Sequence, residues 1–422
     1  MKKLTVALIG AGGRGRVYTN EMSKMPEKYQ VIAVAEPVDE RRDYAKKKHS
    51  IADNMCFTHW DDFFALGKVA DVAVIATMDK DHFEPVMKAI ELGYDILLEK
   101  PVSPNPAECK KMALAAKEKG VKILVCHVLR YAPLYITMKK VIDDGLIGDI
   151  VSVNAEECVG NVHQSHSFVR GNWGNSKKSS PMLLQKCCHD LDILQWLIGK
   201  KLKKVQSFGS LSYFKESNAP KGSPEYCYQG CPVSETCPYN ALKIYKDTHD
   251  GDESWWYGKH AAGIPNPTAE HIEHIIKNTQ YGKCVFKCDN DVVDHQTLNA
   301  LYEDDITLTF TMTAFNKGGR TTHIFGTKGE LKAGESKIEV YDFETAETKE
   351  IPIIIPNQDN FGHGGGDYGI VCALYDYIMG TYTGNAASDI GISVENHIAV
   401  FAAEKSREEG TIVDIEEYMS TL

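Results

Sequence analysis

The first part of the chain alternates short, continuously apolar runs with amphipathic or charged segments. The apolar runs are residues 4–10, 29–37, 70–77, 94–101 and 121–128. Continuous apolar strands between helices are typical of a parallel sheet that is covered on both faces. The pattern therefore predicts a first, α/β domain over residues 1–127.

From about residue 150 apolar and polar positions alternate, as in a sheet with one open face. The strand-like segments include "DIVSVNAEECVG", "KKVQSFGSLSYF", "GKCVFKCDND", "DITLTFTMTAF" and "SKIEVYDF". Helical patterns interrupt them at residues 182–198 and 367–379, and a last helix is predicted in "VENHIAVFAAEKSREEG". The change of pattern predicts a second domain, residues 128–422, that contains a sheet.

Residues of about 214–290 fit neither pattern and are rich in Tyr, Trp, Lys, Pro and Cys, which indicates an insertion in the second domain. The insertion contains five thiols, Cys227, Cys231, Cys237, Cys284 and Cys288. Thiols at this density can close a tetrahedral zinc site. Their spacing is not the usual paired C-x-x-C, however, and free cysteines also pack well as small apolar groups. We therefore do not predict a metal site.

The composition excludes some classes of protein. The 422 residues are 43% hydrophobic and 25% charged, which is ordinary for a globular protein. A formal net charge of −11 argues against nucleic acid or an anionic membrane as the main partner. No segment is apolar for long enough to span a bilayer. The apolar start is interpreted as a first strand rather than an export signal, so the 12 cysteines indicate a cytoplasmic protein with reduced thiols.

A glycine-rich turn follows the first apolar run, in the sequence "GAGGRG". Gly10, Gly12 and Gly15 have G-x-G-x-x-G spacing, which permits a tight turn, close approach of the backbone to a pyrophosphate, and close packing of the next helix. The helix start offers free N–H groups to phosphates. We therefore predict that this turn, with Gly13 and Arg14, binds a dinucleotide.

An acidic residue, Glu36, ends the second apolar run about twenty residues after the glycine turn. A carboxylate there can accept hydrogen bonds from both ribose hydroxyls of an adenosine and would repel a 2′-phosphate. Glu36 therefore favours NAD over NADP, although Arg41 and Arg42 nearby leave this preference open. An acidic turn residue without a ligand is the alternative.

The stretch "DILLEKPVS" ends an apolar strand on Glu99, Lys100 and Pro101. Ligands bind at the carboxyl ends of parallel strands, and a lysine there can hold or accept a hydroxyl proton. The alternative is a solvated loop lysine. The expected cofactor contacts at this edge of the sheet are Thr77, His82, Glu99 and Lys100.

A second group of polar residues lies in "QKCCHDLD". At helical spacing Gln185, His189, Asp192 and Trp196 fall on one face. His189 can act as a general base near neutral pH, and Asp192 can orient it. The alternative is a structural histidine whose hydrogen bonds are satisfied by Asp192.

Taken in order, several segments resemble the Gfo/Idh/MocA family of NAD(P)-dependent oxidoreductases. The resemblance covers the first 150 residues closely and resumes later; the segments are "GAGGRG", "VAEP", "DHFEPVMKAIELGYDILLEKPVS", "VLRYAPLYITMKKVIDDGLIGDI", "MLLQKCCHDLDILQWLIG", "IFGTKGEL" and "FAAEKSREEG". It implies a Rossmann domain, with a doubly wound parallel sheet, followed by a domain built on a large, mostly antiparallel sheet. It also implies a homo-oligomer, dimer or tetramer, formed through that second sheet.

The resemblance assigns roles to two residues. It implies that Lys100 of the E-K-P motif and His189 are catalytic, and that the Lys100–Pro101 peptide is cis. The family often has an aspartate four residues before the histidine, where this chain has Gln185. Proton transfer is therefore expected to depend on His189 and Lys100.

Further substrate contacts are expected beside Gln185, His189 and Asp192. "SHSFVRGNW" offers Arg170 and Trp173 for hydrogen bonding and stacking, and "GHGGGDYG" places His363 before a helix. "CHVLRYAP" adds His127 and Arg130 at the crossover between the domains. Solvated loops are the alternative in each case. These substrate contacts are the least specific of the predicted site residues.

The function predicted first is an NAD-dependent oxidoreductase that moves a hydride between nicotinamide and a secondary hydroxyl of a sugar, inositol or related carbohydrate. One alternative is a glycosidase that oxidises its substrate transiently, with no net redox change; Trp255, Trp256 and Tyr257 of the insertion suit a larger glycoside. Another is a non-catalytic sensor of dinucleotide and sugar. The retention of Lys100 and His189 argues against a sensor.

Overall fold

The structure, a computed structural model, describes residues 2–246, 256–334, 337–355 and 362–422, so Trp255 lies outside it. The first sheet contains β1 (Leu4–Ile9), β2 (Tyr29–Ala35), β3 (Cys56–Phe57), β4 (Val72–Ile75), β5 (Asp95–Leu98) and β6 (Ile123–Val125). Their order is β3-β2-β1-β4-β5-β6, and every neighbouring pair is parallel. This is the predicted doubly wound sheet, and its switch point lies between β1 and β4.

Five helices connect these strands and cover both faces of the sheet. They are α1 (Gly13–Ser23), α2 (Asp39–His49), α3 (Trp60–Phe64), α4 (Phe83–Leu92) and α5 (Pro106–Lys119). All four residues of β4 are buried, as expected for a central strand between two helical layers. Helix α5 begins at a proline, and the side chain of Asn105 caps it by accepting a hydrogen bond from the Ala107 amide.

The second sheet is larger and mostly antiparallel, as the family resemblance implies. Its strands are β7 (Ile150–Cys158), β8 (Leu202–Ser210), β9 (His295–Tyr302), β10 (Thr307–Thr313), β11 (Gly319–Gly326), β12 (Gly329–Ala333), β13 (Lys337–Asp342), β14 (Thr348–Pro352) and β15 (Val413–Asp414). Their order is β14-β13-β12-β11-β7-β10-β9-β8-β15. Within the described ranges β7 and β10 pair in parallel and the other neighbours are antiparallel.

The remaining helices pack on both sheets. They are α6 (Pro133–Asp143), α7 (Asn161–Ser165), α8 (Met182–Gln185), α9 (Cys188–Ile198), α10 (Ala241–Tyr245), α11 (Trp256–Ala262), α12 (Ala269–Asn278), α13 (Gly366–Met379), α14 (Ile390–Glu409) and α15 (Ile415–Ser420). Helix α13 returns to the first sheet, where Tyr29 Oη donates to the Val371 carbonyl at 2.7 Å. The division of the chain at residue 127 stays a prediction. In the described ranges no helix has the length and apolar composition of a bilayer-spanning segment.

Two local predictions in the second half of the chain need correction. The helix predicted over residues 182–198 is two helices, because α8 ends at Gln185 and α9 begins at Cys188. The predicted strand "GKCVFKCDND" is absent, apart from one bridge between Tyr226 and Lys283. Its residues 284–286 pack into a small apolar cluster of the insertion instead. The insertion itself lies between β8 and β9 and contains α10, α11 and α12.

Candidate functional site

The glycine-rich turn between β1 and α1 leaves space for a ligand. Gly10 has φ +89°, and a Cβ on it would lie 2.6 Å from the Ala76 carbonyl oxygen. A Cβ on Gly15 would lie 2.1 Å from the Gly10 oxygen, so α1 packs directly on the turn. A Cβ on Gly12 or Gly13 would meet nothing within 4 Å. The start of α1 has no side-chain cap, so its amides face this space.

Glu36 follows β2 directly and is only 3% exposed. Its carboxylate accepts hydrogen bonds from the Ala11 amide at 2.7 Å and from the Val38 amide at 3.0 Å. Each carboxylate oxygen can accept a further hydrogen bond. Glu36 is thus held beside the glycine-rich turn, with acceptor capacity left.

The two arginines that left the cofactor preference open already have partners. Arg41 Nε donates to the Gly263 carbonyl at 2.6 Å, and its Nη1 lies 3.8 Å from Glu36 Oε1. Arg42 donates to the Glu36 carbonyl at 2.6 Å and also pairs with Asp39. Both guanidinium groups are therefore held at this edge of the site by contacts with the protein.

Lys100 lies at the carboxyl end of β5, and the Lys100–Pro101 peptide is cis. Its Nζ donates to the Gln185 carbonyl at the end of α8, so the two predicted motifs meet. His82 is fully buried, and its Nδ1 donates to the Pro101 carbonyl at 2.8 Å. This imidazole supports the turn that carries Lys100, while its Nε2 is buried without a hydrogen-bond partner among the described residues, so the predicted cofactor contact stays a prediction. Thr77, just beyond β4, lies beside the glycine-rich turn.

Arg14 links the glycine-rich turn to β5 and to α13. Its Nε donates to Glu99 Oε1 at 2.8 Å, and its Nη2 donates to Asp367. Asp367 also accepts from His363 Nδ1 at 3.0 Å. Burial would raise the pKa of Glu99, but the cations of Arg14 and Lys100 lower it below its ordinary value. Both acids stay ionised, and cofactor contacts by Arg14 and Glu99 stay predictions.

His189 is 7% exposed, and its buried Nδ1 has no hydrogen-bond partner in the described part of the chain. Its ring centroid lies 5.9 Å from that of His127 and 6.0 Å from that of His363. Burial lowers the pKa of His189 well below its ordinary value, and the positive charge of Lys100 adds to this. The imidazole is therefore neutral near pH 7, which is the form that accepts a proton.

Asp192 does not orient His189. It is fully buried, and Arg130 donates to its carboxylate from Nε at 2.6 Å and from Nη2 at 2.9 Å. Asn396 on α14 donates to the same carboxylate. The predicted orienting role is therefore wrong, because this carboxylate neutralises a buried arginine. The predicted substrate contact of Asp192 stays a prediction.

The ring of His127 packs against that of His189, so His127 is a more central part of the site than the sequence indicated. It is 1% exposed, and neither ring nitrogen has a hydrogen-bond partner among the described residues. Its Nδ1 is 3.7 Å from Asp192 Oδ2, and its ring is 5.8 Å from that of His397. Burial lowers the pKa of His127 to about 4. Sequence reasoning missed His397 and Asn396, because no local pattern places α14 at this site.

Arg170 holds the insertion. It is 1% exposed; its Nε donates to the Lys283 carbonyl at 2.9 Å, and its Nη2 donates to the Tyr239 carbonyl at 2.6 Å. Its predicted contact with the substrate stays a prediction. The Cys227 thiol lies 3.8 Å from the same guanidinium group. Within the described ranges no three His, Cys, Asp or Glu side chains are grouped to hold a metal ion, so the zinc hypothesis gains no support.

Three further predicted substrate contacts, those of Trp173, Gln185 and His363, also stay predictions. Trp173 is half-buried, with its ring 6.2 Å from Phe168, and its indole N–H has no partner in the described residues. Gln185 is 6% exposed and holds Lys100 through its carbonyl. His363 is bound by Asp367 beside His189. Of these, Gln185 and His363 lie next to the predicted catalytic pair.

Comparison with known proteins agrees with this geometry. The family model described as the NAD-binding Rossmann fold of an oxidoreductase family matches residues 4–127, and the model of its C-terminal alpha/beta domain matches residues 139–419. The chain is 24% identical over 371 residues to YteT of Bacillus subtilis (strain 168), which is named as an oxidoreductase, and this covers 82% of each protein.

Two further likenesses concern named reactions. The chain is 27% identical over 211 residues to 2,7-anhydro-N-acetylneuraminate hydratase of Mediterraneibacter gnavus, which covers 50% of this chain and 53% of that protein. A solved levoglucosan dehydrogenase, in complex with NADH and levoglucosan, superposes with a TM-score of 0.71 at 17% identity, covering 98% of this chain and 100% of the other. Two family models together span most of the sequence. The chain therefore belongs to the Gfo/Idh/MocA family of oxidoreductases, whose N-terminal part is an NAD-binding Rossmann fold.

Proposed function

We propose that this protein is an NAD-dependent oxidoreductase that acts on a secondary hydroxyl of a sugar, inositol or related carbohydrate. The observation that carries the proposal is the meeting of Lys100, at the carboxyl end of the parallel sheet, with the α8–α9 segment that bears His189. Two groups able to move a proton thus lie beside a turn built for a dinucleotide.

The residues present fit the cofactor. The open space at Gly12 and Gly13 and the uncapped start of α1 would hold the pyrophosphate, and Glu36 would accept hydrogen bonds from the ribose hydroxyls. Lys100 would lie at the nicotinamide end. When bound, NAD supplies the hydride acceptor, and the chain binds and orients the substrate.

His189 would take the hydroxyl proton of the substrate, and Lys100 would donate a hydrogen bond to the developing alkoxide. The Nδ1 of His189 is buried, so the proton would go to Nε2. Gln185 is neutral, so it adds no negative charge beside Lys100 and His189. Removal of the hydroxyl proton from the substrate would therefore depend on His189 and Lys100.

A panel of sugars and glycosides tests this function, with NADH and released product followed in the same reaction. Formation of NADH with one class of sugar supports the oxidoreductase. Product without accumulated NADH supports transient oxidation. We keep this as the second candidate because the chain is similar to a hydratase, and hydration involves no net redox change. Tight binding of a sugar without any turnover would instead support the hypothesis of a non-catalytic sensor.

We expect NADH to bind more tightly than NADPH. Glu36 would repel a 2′-phosphate, and Arg41 and Arg42 are held by Gly263, Asp39 and the Glu36 backbone. Dissociation constants for both cofactors, from fluorescence titration, measure the preference. Equal constants, or tighter NADPH binding, would contradict the role proposed for Glu36.

Oligomerisation through the second sheet stays a prediction, as does a cytoplasmic location. The open face of that sheet carries Phe208, which is 56% exposed, and a tilted ring pair formed by His323 and Phe325, whose centroids are 3.8 Å apart. Apolar rings on an open sheet face suit contact with a second copy. These rings support the proposed dimer or tetramer.

A further inference from the structure

The insertion touches the first domain beside the glycine-rich turn. Gly263, directly after α11, accepts a hydrogen bond from Arg41 Nε at 2.6 Å. A Cβ on Gly263 would lie 2.8 Å from Arg41 Nη2, so the guanidinium group lies directly against this backbone. Arg41 belongs to the first turn of α2, which follows the strand that leads to Glu36. The insertion therefore reaches the edge of the first sheet where the dinucleotide would bind.

Arg41 connects the insertion to the carboxylate proposed to bind the ribose. Its Nη1 lies 3.8 Å from Glu36 Oε1, and Glu36 Oε2 accepts a hydrogen bond from the Ala11 amide at 2.7 Å in the glycine-rich turn. A chain of contacts thus runs from Gly263 through Arg41 and Glu36 to the turn itself. A ribose held by Glu36 would lie next to the guanidinium group of Arg41.

The guanidinium group of Arg41 keeps hydrogen-bond donors for a ligand. A guanidinium has five N–H donors, and among the described residues Nη1 and Nη2 of Arg41 have no hydrogen-bond partner. The side chain is 29% exposed, so solvent and ligands can reach it. A guanidinium can donate hydrogen bonds to ribose oxygens and can stack on the face of a base. Its free donors therefore suit the adenosine half of a dinucleotide.

The Gly263 end of this contact is held by packing within the second domain. Three residues of α11 pack against an apolar cluster formed by α10 and α12: Tyr257, Ala261 and Ala262. The ring of Tyr257 also lies 5.1 Å from that of His166. Gly263 directly follows these residues, so its carbonyl is a fixed acceptor that the second domain presents to Arg41.

A contact that only joins the two domains is the alternative. Such a contact would contribute to stability but would not change how long a bound cofactor stays in its site. The position of Arg41 favours a role in cofactor binding, because the hydrogen bond to Gly263 holds its Nη atoms beside the carboxylate of Glu36.

We propose that Gly263 positions Arg41 against the adenosine half of bound NAD, so that the insertion forms one wall of the cofactor site and slows release of the cofactor. The inference rests on the cofactor site described under the proposed function. Arg41 would contact the cofactor, and Gly263 acts through Arg41. The insertion then serves the cofactor as well as the second domain.

Dissociation rates of NADH test this role. NADH bound to the whole chain is displaced by excess NAD in a stopped-flow instrument, and its fluorescence gives the rate. Arg41→Met, which removes the donors and the charge, should raise the rate roughly tenfold. Gly263→Ala, whose Cβ displaces the guanidinium group, should raise it roughly fivefold. The double variant should stay within about twofold of Arg41→Met, since both changes act through one contact.

Two control variants match these changes. Gly120→Ala adds a Cβ to another glycine that follows a helix, with φ +72° against +67° at Gly263, but nothing lies within 4 Å of that Cβ. Lys47→Met removes an exposed cation from the same helix as Arg41. Neither control should change the dissociation rate of NADH, and thermal melts on the same preparations show the cost in stability.

Two further measurements separate a role at the adenosine end from a structural one. ADP-ribose lacks the nicotinamide, and its dissociation constant should rise in Arg41→Met by the same factor as that of NADH. Bound NADH should slow amide hydrogen exchange in α11 of the wild type but not of Arg41→Met, a result that does not depend on the Gly263 variant.

Three results would overturn the proposed role: an unchanged NADH dissociation rate in Arg41→Met or in a folded Gly263→Ala, independent effects that multiply in the double variant, or unchanged binding of ADP-ribose in Arg41→Met. Exchange in α11 that ignores NADH would likewise remove the insertion from the cofactor site. A wild-type protein that binds no NADH would instead refute the cofactor site on which the inference rests.

Discussion

Replacing His189 with alanine should slow turnover by about 10² to 10⁴, because the substrate hydroxyl loses its positioned base. The affinity for NADH should stay close to that of the wild type, since His189 lies on α9 and not in the glycine-rich turn. Single-turnover rates, NADH titrations and thermal melts on the same preparations measure these quantities. His59→Ala, an exposed histidine ahead of α3, is the matched control and should change none of them.

The structural alternative for His189 predicts a different result. If the imidazole only packs between His127 and His363, the alanine variant should lose thermal stability and lose activity in proportion to the unfolded fraction. Near-normal turnover in a folded variant would also contradict the proposed role. The combination of a normal melt with a large rate loss is the outcome that only a catalytic role gives.

Asp192→Ala should lower the free energy of unfolding by about 3–5 kcal/mol, because it leaves a buried arginine unpaired. Arg130 is 2% exposed, and its two hydrogen bonds to Asp192 would have no replacement from water. Asp192→Asn keeps the shape and removes the charge, so it should fall between the alanine variant and the wild type. Denaturant unfolding, with the transition followed by circular dichroism, gives the three values.

The exposed pair formed by Lys88 and Glu91 on α4 provides the control for this prediction. Glu91 is 66% exposed, so Glu91→Ala should leave the unfolding midpoint where it is. If Asp192→Ala is as stable as the wild type, the pair with Arg130 does not hold α9 against the crossover segment. The positioning of His189 would then need another explanation.

The parts of the fold that local patterns encode were predictable from the sequence. Five of the six strands of the first sheet are continuous apolar runs, and the glycine spacing places the first turn; β3 escaped prediction because it is only two residues long. The failed strand at residues 282–291 shows the limit, because its alternation equally suits a loop whose apolar residues enter a small cluster. The break between α8 and α9 also escaped prediction, since both helices carry the same apolar period.

The site could be predicted only where one motif carries the chemistry. Gly10, Lys100 and His189 lie in short motifs, whereas the partners of Asp192 lie far along the chain. Arg130 is 62 positions away and Asn396 is 204 positions away. Helical spacing placed Asp192 on the same face as His189. It did not show that the carboxylate of Asp192 binds the buried guanidinium of Arg130 instead. The contact of Arg170 with the insertion was missed for the same reason, since its backbone partner Lys283 is 113 positions away.

Hydride transfer from a carbon that bears a hydroxyl group is the step on which the proposed function rests, and a deuterium label follows it directly. The substrate found in the sugar panel is deuterated at that carbon and mixed with the enzyme and NAD for a single turnover. The reaction is then quenched, and the cofactor is analysed by mass spectrometry. We predict deuterium in the reduced cofactor, at a much lower rate in Lys100→Met and His189→Ala. Product that forms while the cofactor never carries deuterium would contradict hydride transfer at this site.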